Sequence, residues 1–436
     1  PTAAQFDREF SSEDFLQTAA SGNRAGTPLS LYFHIPFCHS ICYYCACNKI
    51  VTRDTAQAAT YLDYLYKEMH LLDALGWQQR PVTQLHFGGG TPTFLDDDQL
   101  ACLMKRIGEH YQLLDKDRGE YSIELDPRTI DNKRLALLRT LGFNRASLGI
   151  QDFDSEVQAA INRRQDFLAI SEQMQELRRL GFHSINFDLI YGLPFQNEQT
   201  VNETLDKVLQ LSPDRISCYN YAHLPQRFSS QRSIDRQQLP TPTEKISLIN
   251  TVINKLTEAG YVFIGMDHFV KPDDSLAIAL KNDTLQRNFQ GYSLDLADDM
   301  LSLGVSSISD LGNAYSQNYR KLEEYYLALD AGRLPVEHGL LVSLEDHLRR
   351  DIIQQITCHR AIDIALIEQR YSIDFKQHFQ QALDKLKPLA ADGIVSIDKQ
   401  SIHVTPTGQH FLRHIAMAFD QYLGAESSPV KYSKAI

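Results

Sequence analysis

Cysteine is scarce in this chain, cationic residues are the minority charge, and long apolar runs are absent. Seven cysteines occur in 436 residues. The count is odd, and Cys38, Cys42, Cys45 and Cys47 crowd together while Cys102, Cys218 and Cys358 lie scattered. That is no disulfide framework, and four thiols so close would scramble in an oxidising compartment, so a reducing cytoplasm is expected. No stretch approaches the ~18 apolar residues of a membrane span, and no basic amphipathic leader is present, so neither a span nor export is expected. Lys and Arg total 43 against 55 Asp and Glu, for a net charge of −12, which disfavours a general nucleic-acid binder. The hydrophobic share of 43% is that of a chain with a real core, and disorder is excluded.

What is present is a strand-then-helix rhythm. The runs "LYFHI" at 31, "QLHFG" at 84, "YSIELD" at 121, "RASLGIQ" at 145, "INFDLIYG" at 185 and "RISCYNYAHL" at 215 each read as a buried parallel strand. Helical patterns separate them over 61–75, 98–111, 132–141, 168–180 and 199–211, with a further helix over 243–259. Six such units predict an α/β fold, a parallel TIM-like barrel or a partial (β/α)6 one, because right-handed crossovers keep successive strands adjacent. "YVFIGM" at 261 reads as more barrel wall, and "MDHFVKPDD" and "QRNFQGYSLD" read as long polar loops. From about Leu341 the pattern turns helical, then gives a hairpin in "GIVSIDKQSIHVT" and a last helix in "TGQHFLRHIAMAFDQYL". This predicts a smaller winged-helix-like module. Its mixed charge favours a packing or lid role over DNA binding. The expected segments are a lead over 1–28, the barrel over 29–265, a connecting, cavity-forming segment over 266–340, and the C-terminal helical lid over 341–436.

In such a sheet chemistry sits at the C-terminal ends of the strands, and the cysteine knot lies on the loop after the first one. Cys38, Cys42 and Cys45 form CxxxCxxC with Tyr44 before the last cysteine. Three thiolates suit a [4Fe-4S] cluster whose fourth iron stays open to substrate or cofactor. A four-cysteine zinc knuckle using Cys47 is the alternative. Zinc sites usually separate their two cysteine pairs widely, and here all four ligands would wrap one ion within ten residues. With three sulfurs on iron, Cys47 is left as either a buried or a reactive thiol.

The CxxxCxxC motif with its aromatic residue resembles the radical S-adenosylmethionine (SAM) superfamily. "LYFHIPFCHSICYYCACNK", "LHFGGGTPT", "IELDPR", "LGIQDF", "DLIYGLP", "NYAHLP", "GMDHF", "RNFQGY" and "LGVSSIS" follow in order over about Leu29 to Ser309. Together they resemble the oxygen-independent coproporphyrinogen III oxidases (dehydrogenases) of haem biosynthesis. The extra Cys47 favours that family over the related haem chaperones. Of the family's usual lead ending "RYTSYPT", only Pro1 and Thr2 occur here, so contacts of that lead are unassigned.

The resemblance implies two SAM molecules beside one cluster. Gly88 to Gly90 lack side chains, so backbone can approach a ligand closely; a plain turn would use glycine in the same way. By resemblance Tyr32, Gly89, Glu124 and Ile308 attend the first SAM, and Tyr44, Gly90, Thr91, Gln151, Arg163, Asp188 and Ala222 the second. The implied chemistry begins with one-electron cleavage of SAM by a cluster of low potential, in a range reaching about −700 mV. The resulting 5'-deoxyadenosyl radical takes hydrogen from a propionate β-carbon of coproporphyrinogen III. Loss of CO₂ and one electron leaves a vinyl group, and two rounds give protoporphyrinogen IX. A closed cavity is required to protect the radical. Four substrate carboxylates call for cationic and amide donors, for which Arg287 and Gln290 are candidates. Cys47 is expected to act catalytically as a proton or hydrogen-atom donor, or in placing substrate. The expected partners are a flavodoxin-type electron donor and an electron acceptor that the sequence leaves unknown, with no nucleic acid, no membrane and a monomeric chain. A haem-binding or haem-trafficking relative and a zinc-stabilised binding module are the two alternatives in function.

Overall fold

A computed structural model describes residues 3–21, 26–115, 117–294, 297 and 299–423. Of these, 6–259 and 297–341 form one compact unit, and 260–294 and 342–423 with 3–5 form a second. No helix among the described residues is long and apolar enough to cross a membrane.

In the first unit the six anticipated strands form as β1 Leu29–Ile35, β2 Pro81–Gly89, β3 Glu120–Leu125, β4 Arg145–Gln151, β5 Ser184–Tyr191 and β6 Arg215–Asn220. Each is parallel to the next. Between them run α1 Ala56–Leu72, α2 Asp97–His110, α3 Asn132–Thr140, α4 Phe167–Arg179 and α5 Glu198–Leu211, followed by α6 Pro242–Glu258. Their starts are fixed locally. Asp96 with Gln99, Asn197 with Thr200 and Thr241 with Glu244 make reciprocal capping boxes, and Pro242 supplies the preset first helical turn.

A seventh parallel strand, β7 Asp299–Leu303, pairs with the other side of β1. The sheet then continues antiparallel through β8 Ile308–Asp310, β9 Ala314–Asn318 and β10 Val336–Leu341. These four strands lie where a connecting segment was expected. Buried Arg80 joins β7 to the rest, with Nη1 donating to Asp299 Oδ2 at 2.7 Å and Nη2 to the Pro28 carbonyl at 2.9 Å. The lead packs here too: Asp7 and Gly339 of β10 exchange backbone hydrogen bonds of 2.6 and 2.9 Å, and Phe6 stacks on Tyr315.

On α1 the buried positions recur every three or four residues, at Tyr61, Leu62, Leu65, Glu68, Met69 and Leu72, so Glu68 occupies a place an apolar residue would usually fill. It accepts hydrogen bonds from Tyr325 Oη (2.5 Å), Asn318 Nδ2 (2.6 Å) and the Gly304 N–H (2.8 Å). Tyr61, two turns earlier on the same face, donates to the His34 carbonyl at 2.6 Å and accepts the Val305 N–H. Together they bolt the turn after β7 to the end of β1. Burial pushes the Glu68 carboxyl up to about 7, against the pull of its three donors. Because its folded-state value lies above its ordinary 4.5, its contribution is full below that pH and is lost as pH rises toward 7. Glu68→Ala leaves the Tyr325 hydroxyl and the Gly304 N–H unpaired, at about 1–3 kcal/mol each before relaxation, while Asn318 Nδ2 keeps the Gly304 carbonyl and Ser307 Oγ. We expect a loss of roughly 3 kcal/mol, smaller at about pH 8 than at about pH 5, measured by urea unfolding at both.

The second unit corrects several expectations. "YVFIGM" forms a strand as expected, Val262–Gly265, which turns back on His268–Val270 as an antiparallel hairpin. The two stretches expected to be polar loops contribute this hairpin and another, Gln286–Asn288 with Gly291–Ser293, with helix Ser275–Lys281 between them. The reason is burial: Ile264, Val270, Leu276, Leu285, Tyr292 and Cys358 form one apolar cluster. The span 266–340 is therefore divided between the two units. In the C-terminal part, Val395–Ile397 and Ser401–Val404 form the anticipated wing, joined by an unanticipated strand, Ala361–Asp363. The last helix is shorter than expected, a 3-10 turn Thr407–Phe411 leading into Leu412–Met417.

Candidate active site

After β1 the chain makes a closed excursion carrying all four clustered cysteines. Phe37–Cys38 pairs in parallel with Ile50–Val51, so both ends of the loop are pinned. Its backbone is satisfied by neighbouring loops: Tyr43 N–H donates to the Ile161 carbonyl (3.0 Å), Asn162 Nδ2 to Ile41 (2.8 Å), Gln231 Nε2 to Tyr44 (3.0 Å) and Ser230 Oγ to Cys45 (2.8 Å). His34 Nε2 meets the Asn48 carbonyl at 3.0 Å. With the backbone held from outside, the thiols remain available. All four are free; Cys42 is buried, Cys38 and Cys45 half-buried, and Cys47 exposed.

The glycines where β2 ends pack against this excursion and the end of β1. Gly90 N–H donates to the Ile35 carbonyl and Thr91 N–H to Phe37, both at 2.8 Å. A Cβ on Gly90 would stand 2.7 Å from the Pro36 carbonyl carbon and oxygen, and one on Gly89, at φ +115°, would stand 2.7 Å from the His34 ring. These residues are thus required for loop-to-loop contact, whatever a ligand demands in addition. Gly90→Ala must push rigid backbone apart. It is expected to cost about 1–3 kcal/mol and to lower iron retention after anaerobic reconstitution, read as iron and sulfide per chain beside the urea midpoint.

The strands alternate fully buried positions with half-buried polar ones, so one face packs on helices and the other lines a polar hollow. Tyr32 stacks on His86 (centroids 5.7 Å) and reaches His34 Nδ1 at 3.1 Å. His86 contacts Ser122 Oγ at 2.5 Å and Glu124 Oε1 at 3.3 Å, and Glu124 accepts the Gly89 N–H at 3.2 Å. Further round, Ser147 Oγ and Asn186 Nδ2 donate to Asp188 at 2.7 and 3.0 Å, and Ser217 donates to Asn186. Burial pushes Asp188 up to about 6, holds Tyr32 well above its usual range and lowers His34, favouring neutral imidazole.

One corner of the cysteine loop is cationic. Asp126, directly after β3, caps the turn Pro127–Thr129 and binds Arg128 through Nε (2.9 Å) and Nη2 (2.6 Å). It also accepts Arg163 Nη1 at 3.2 Å. Both guanidiniums then reach Cys42 Sγ, Arg163 at 3.4 Å and Arg128 at 3.6 Å. Burial opposes the charge on Arg163, yet nearby Tyr44, Asp126 and Cys42 hold it above its ordinary value. Elsewhere Thr91 Oγ1 donates to Cys38 Sγ at 3.6 Å, while burial raises the Cys38 thiol to about 11. A hydrogen bond from Cys47 lowers Cys45 to about 6 and raises Cys47 itself.

The positions expected from sequence separate into groups. Tyr32, Gly89 and Glu124 are linked through His34 and His86. Ile308 begins β8, two strands from β1. Tyr44, Thr91 and Arg163 gather at the cysteines. Gln151 ends β4 at φ +66°, beside a bulge, a backbone conformation unusual outside glycine. Asp188 lies in the hollow, and Ala222 follows the end of β6. Arg287 and Gln290 belong to a hairpin of the second unit, where Arg287 lies over the Tyr292 ring. Asp126, Arg128, His34, His86, Ser147 and Asn186 were not anticipated. For His34, His86, Ser147 and Asn186 the signal was available, as polar residues at every second position within otherwise apolar strands.

The donor set fits a [4Fe-4S] group: three free thiols on one pinned loop, with cationic and hydroxyl donors aimed at two of the sulfurs.

Residues 32–208 match the Radical SAM superfamily, and 342–411 match the HemN C-terminal domain. An oxygen-independent coproporphyrinogen III oxidase of Pseudomonas aeruginosa is 47% identical over 423 residues, covering 97% of this chain and 92% of the relative. One from Escherichia coli K12 is 44% identical over 436 residues, covering 100% and 94%. The solved structure of the Escherichia coli coproporphyrinogen III oxidase, described as a radical SAM enzyme, aligns with a TM-score of 0.93 at 45% identity, covering 97% and 96%.

Proposed function

This chain belongs to the oxygen-independent coproporphyrinogen III oxidases of the radical SAM superfamily, and from that premise we propose that it oxidatively decarboxylates two propionates of coproporphyrinogen III to vinyl groups, giving protoporphyrinogen IX. The observation that carries this reading is the pinned loop at the C-terminal ends of the strands, with three free thiols and two guanidiniums on Cys42.

Cys38, Cys42 and Cys45 would hold the cluster. When bound, the cluster and SAM supply a primary carbon radical able to take hydrogen from an unactivated carbon. The chain's own residues bind, orient and seclude. Tyr32, Gly89, Glu124 and Ile308 would receive one SAM, with the Glu124 carboxylate as acceptor for hydroxyl groups. Tyr44, Gly90, Thr91, Gln151, Arg163, Asp188 and Ala222 would receive the second. The row from Tyr32 to Ser217 offers paired donors and acceptors in a hollow whose outer walls are apolar, so a polar ligand trades water for preset partners. Asp188, at about 6, can hold or release a proton near neutrality. Cys47, exposed and two residues beyond Cys45, would face the substrate. The C-terminal module would act as a lid, with Arg287 and Gln290 as candidate partners of the substrate carboxylates. A flavodoxin-type protein would deliver the electron in a reducing cytoplasm, the chain acting as a monomer.

Anaerobically reconstituted protein with SAM, a one-electron reductant and coproporphyrinogen III should form protoporphyrinogen IX with two equivalents of 5'-deoxyadenosine. Intact iron and sulfide with tetrapyrrole bound but unchanged would sink the enzyme reading in favour of haem trafficking. A colourless zinc protein would sink both.

A further inference from the structure

The Arg128 guanidinium is bound by its own strand-end carboxylate and also touches a cysteine that the proposed function assigns to iron. We propose that Arg128 is a positioning residue that donates an N–H to the Cys42 sulfur and thereby sets the reduction potential of the cluster. The inference rests on the cluster reading but not on the substrate.

Three observations carry it. Arg128 is fixed before any ligand arrives, because Asp126 takes its Nε and Nη2 while the Asp126 side chain itself caps the Arg128 N–H at 3.1 Å. That clamp presents Nη2 to Cys42 Sγ at 3.6 Å. Second, the corner holds two guanidiniums against one carboxylate, so a positive charge remains facing the sulfur. Third, the other guanidinium has a separate anchor, since Arg163 donates through Nε and Nη2 to the Gly149 carbonyl at 3.1 and 2.8 Å. By resemblance Arg163 also attends SAM, a role the resemblance does not give Arg128. Iron–sulfur potentials respond to hydrogen bonds on sulfur and to local charge. Reduction adds negative charge, so an N–H donor with positive charge stabilises the reduced form more than the oxidised form. Arg128 therefore raises the potential, bringing a cluster that must run low within reach of a protein reductant.

The test is an EPR-monitored potentiometric titration of reconstituted wild type, Arg128→Gln and Arg128→Lys without SAM or substrate. Arg128→Gln should shift the potential more negative by a tenfold change in the reduction equilibrium, about 59 mV for a one-electron couple. Arg128→Lys keeps the charge but not the fork, so it should shift less in the same direction. Equal potentials at equal iron and sulfide overturn the proposal. If Arg128→Gln takes up no cluster, Arg128→Lys decides by the same criterion. Failure of both to take up iron would overturn potential tuning in favour of a structural role in cluster retention. Wild-type protein that holds a redox-active cluster but leaves coproporphyrinogen III unchanged would sink the substrate assignment and leave this inference standing.

Discussion

Alanine at Cys38, Cys42 or Cys45 is expected to abolish cluster binding and to reduce decarboxylation to the uncatalysed background. On the proposed assignment the three thiols serve one iron–sulfur group, so removing one would not leave two-thirds of the function. The environments add a graded structural effect. At Cys38 the substitution removes an acceptor from the Thr91 hydroxyl, a neutral donor. At Cys42 it strips the sulfur from Arg128 and from buried Arg163, leaving Asp126 to balance both charges. Cys42→Ala should therefore be the least stable of the three apoproteins, since two guanidiniums each lose an acceptor there and a hydrogen bond to a charged group is worth more than one to a hydroxyl. Iron and sulfide per chain, the brown absorbance after reconstitution, and urea midpoints of the apoproteins check this. Iron at wild-type stoichiometry in all three variants would refute the ligand assignment.

Cys47→Ser should separate cluster from turnover. Iron, sulfide and SAM binding are expected to persist while most protoporphyrinogen formation is lost. If Cys47 were a fourth ligand, no iron would remain open to SAM. The structure places Cys47 as the exposed member of the four, with its thiol donating to Cys45. A thiol there can pass a proton or a hydrogen atom to something in the cavity, and a hydroxyl is a poor substitute in either role. Serine can still donate to Cys45, so the variant tests the chemistry of sulfur rather than the hydrogen bond. Full iron with near-normal turnover would make Cys47 a packing residue; lost iron would make it a ligand.

The parallel half of the fold was legible because its strands are compact apolar runs bracketed by capped helices, and β4 matches the expected 145–151 residue for residue. The cysteine loop was legible because its proposed ligands, Cys38, Cys42 and Cys45, lie close together in sequence. What escaped was set by distance along the chain. β7 is buried at every position, yet it begins with an aspartate whose partner, Arg80, lies 219 residues away. No local pattern marks such a residue as interior. β8 and β9 are short and rich in serine and asparagine, and their hydrogen bonds come from strand neighbours rather than sequence neighbours. Arg128 and Asp126 stood inside a motif already singled out, "IELDPR", but their convergence on Cys42 arises only when the end of β3 meets the loop after β1. The polar lining was written plainly as alternation within each strand, and reading those strands as uniformly apolar concealed it.

The contact between the lead and β10 bears on behaviour outside catalysis. An outermost strand exposes a row of backbone donors and acceptors that can template pairing with another chain. Here Asp7 occupies both backbone groups of Gly339, and the Phe10 ring fills the space where a side chain would stand at that residue. The lead thus works as a guard on the open rim of the sheet, and Gly339 is small because the guard must lie flat against it. Trimming the chain before Ser11 would leave the radical-forming half of the molecule untouched in sequence while uncovering a strand able to recruit its counterpart on a second molecule. Losing those few residues would lower solubility before it lowered activity.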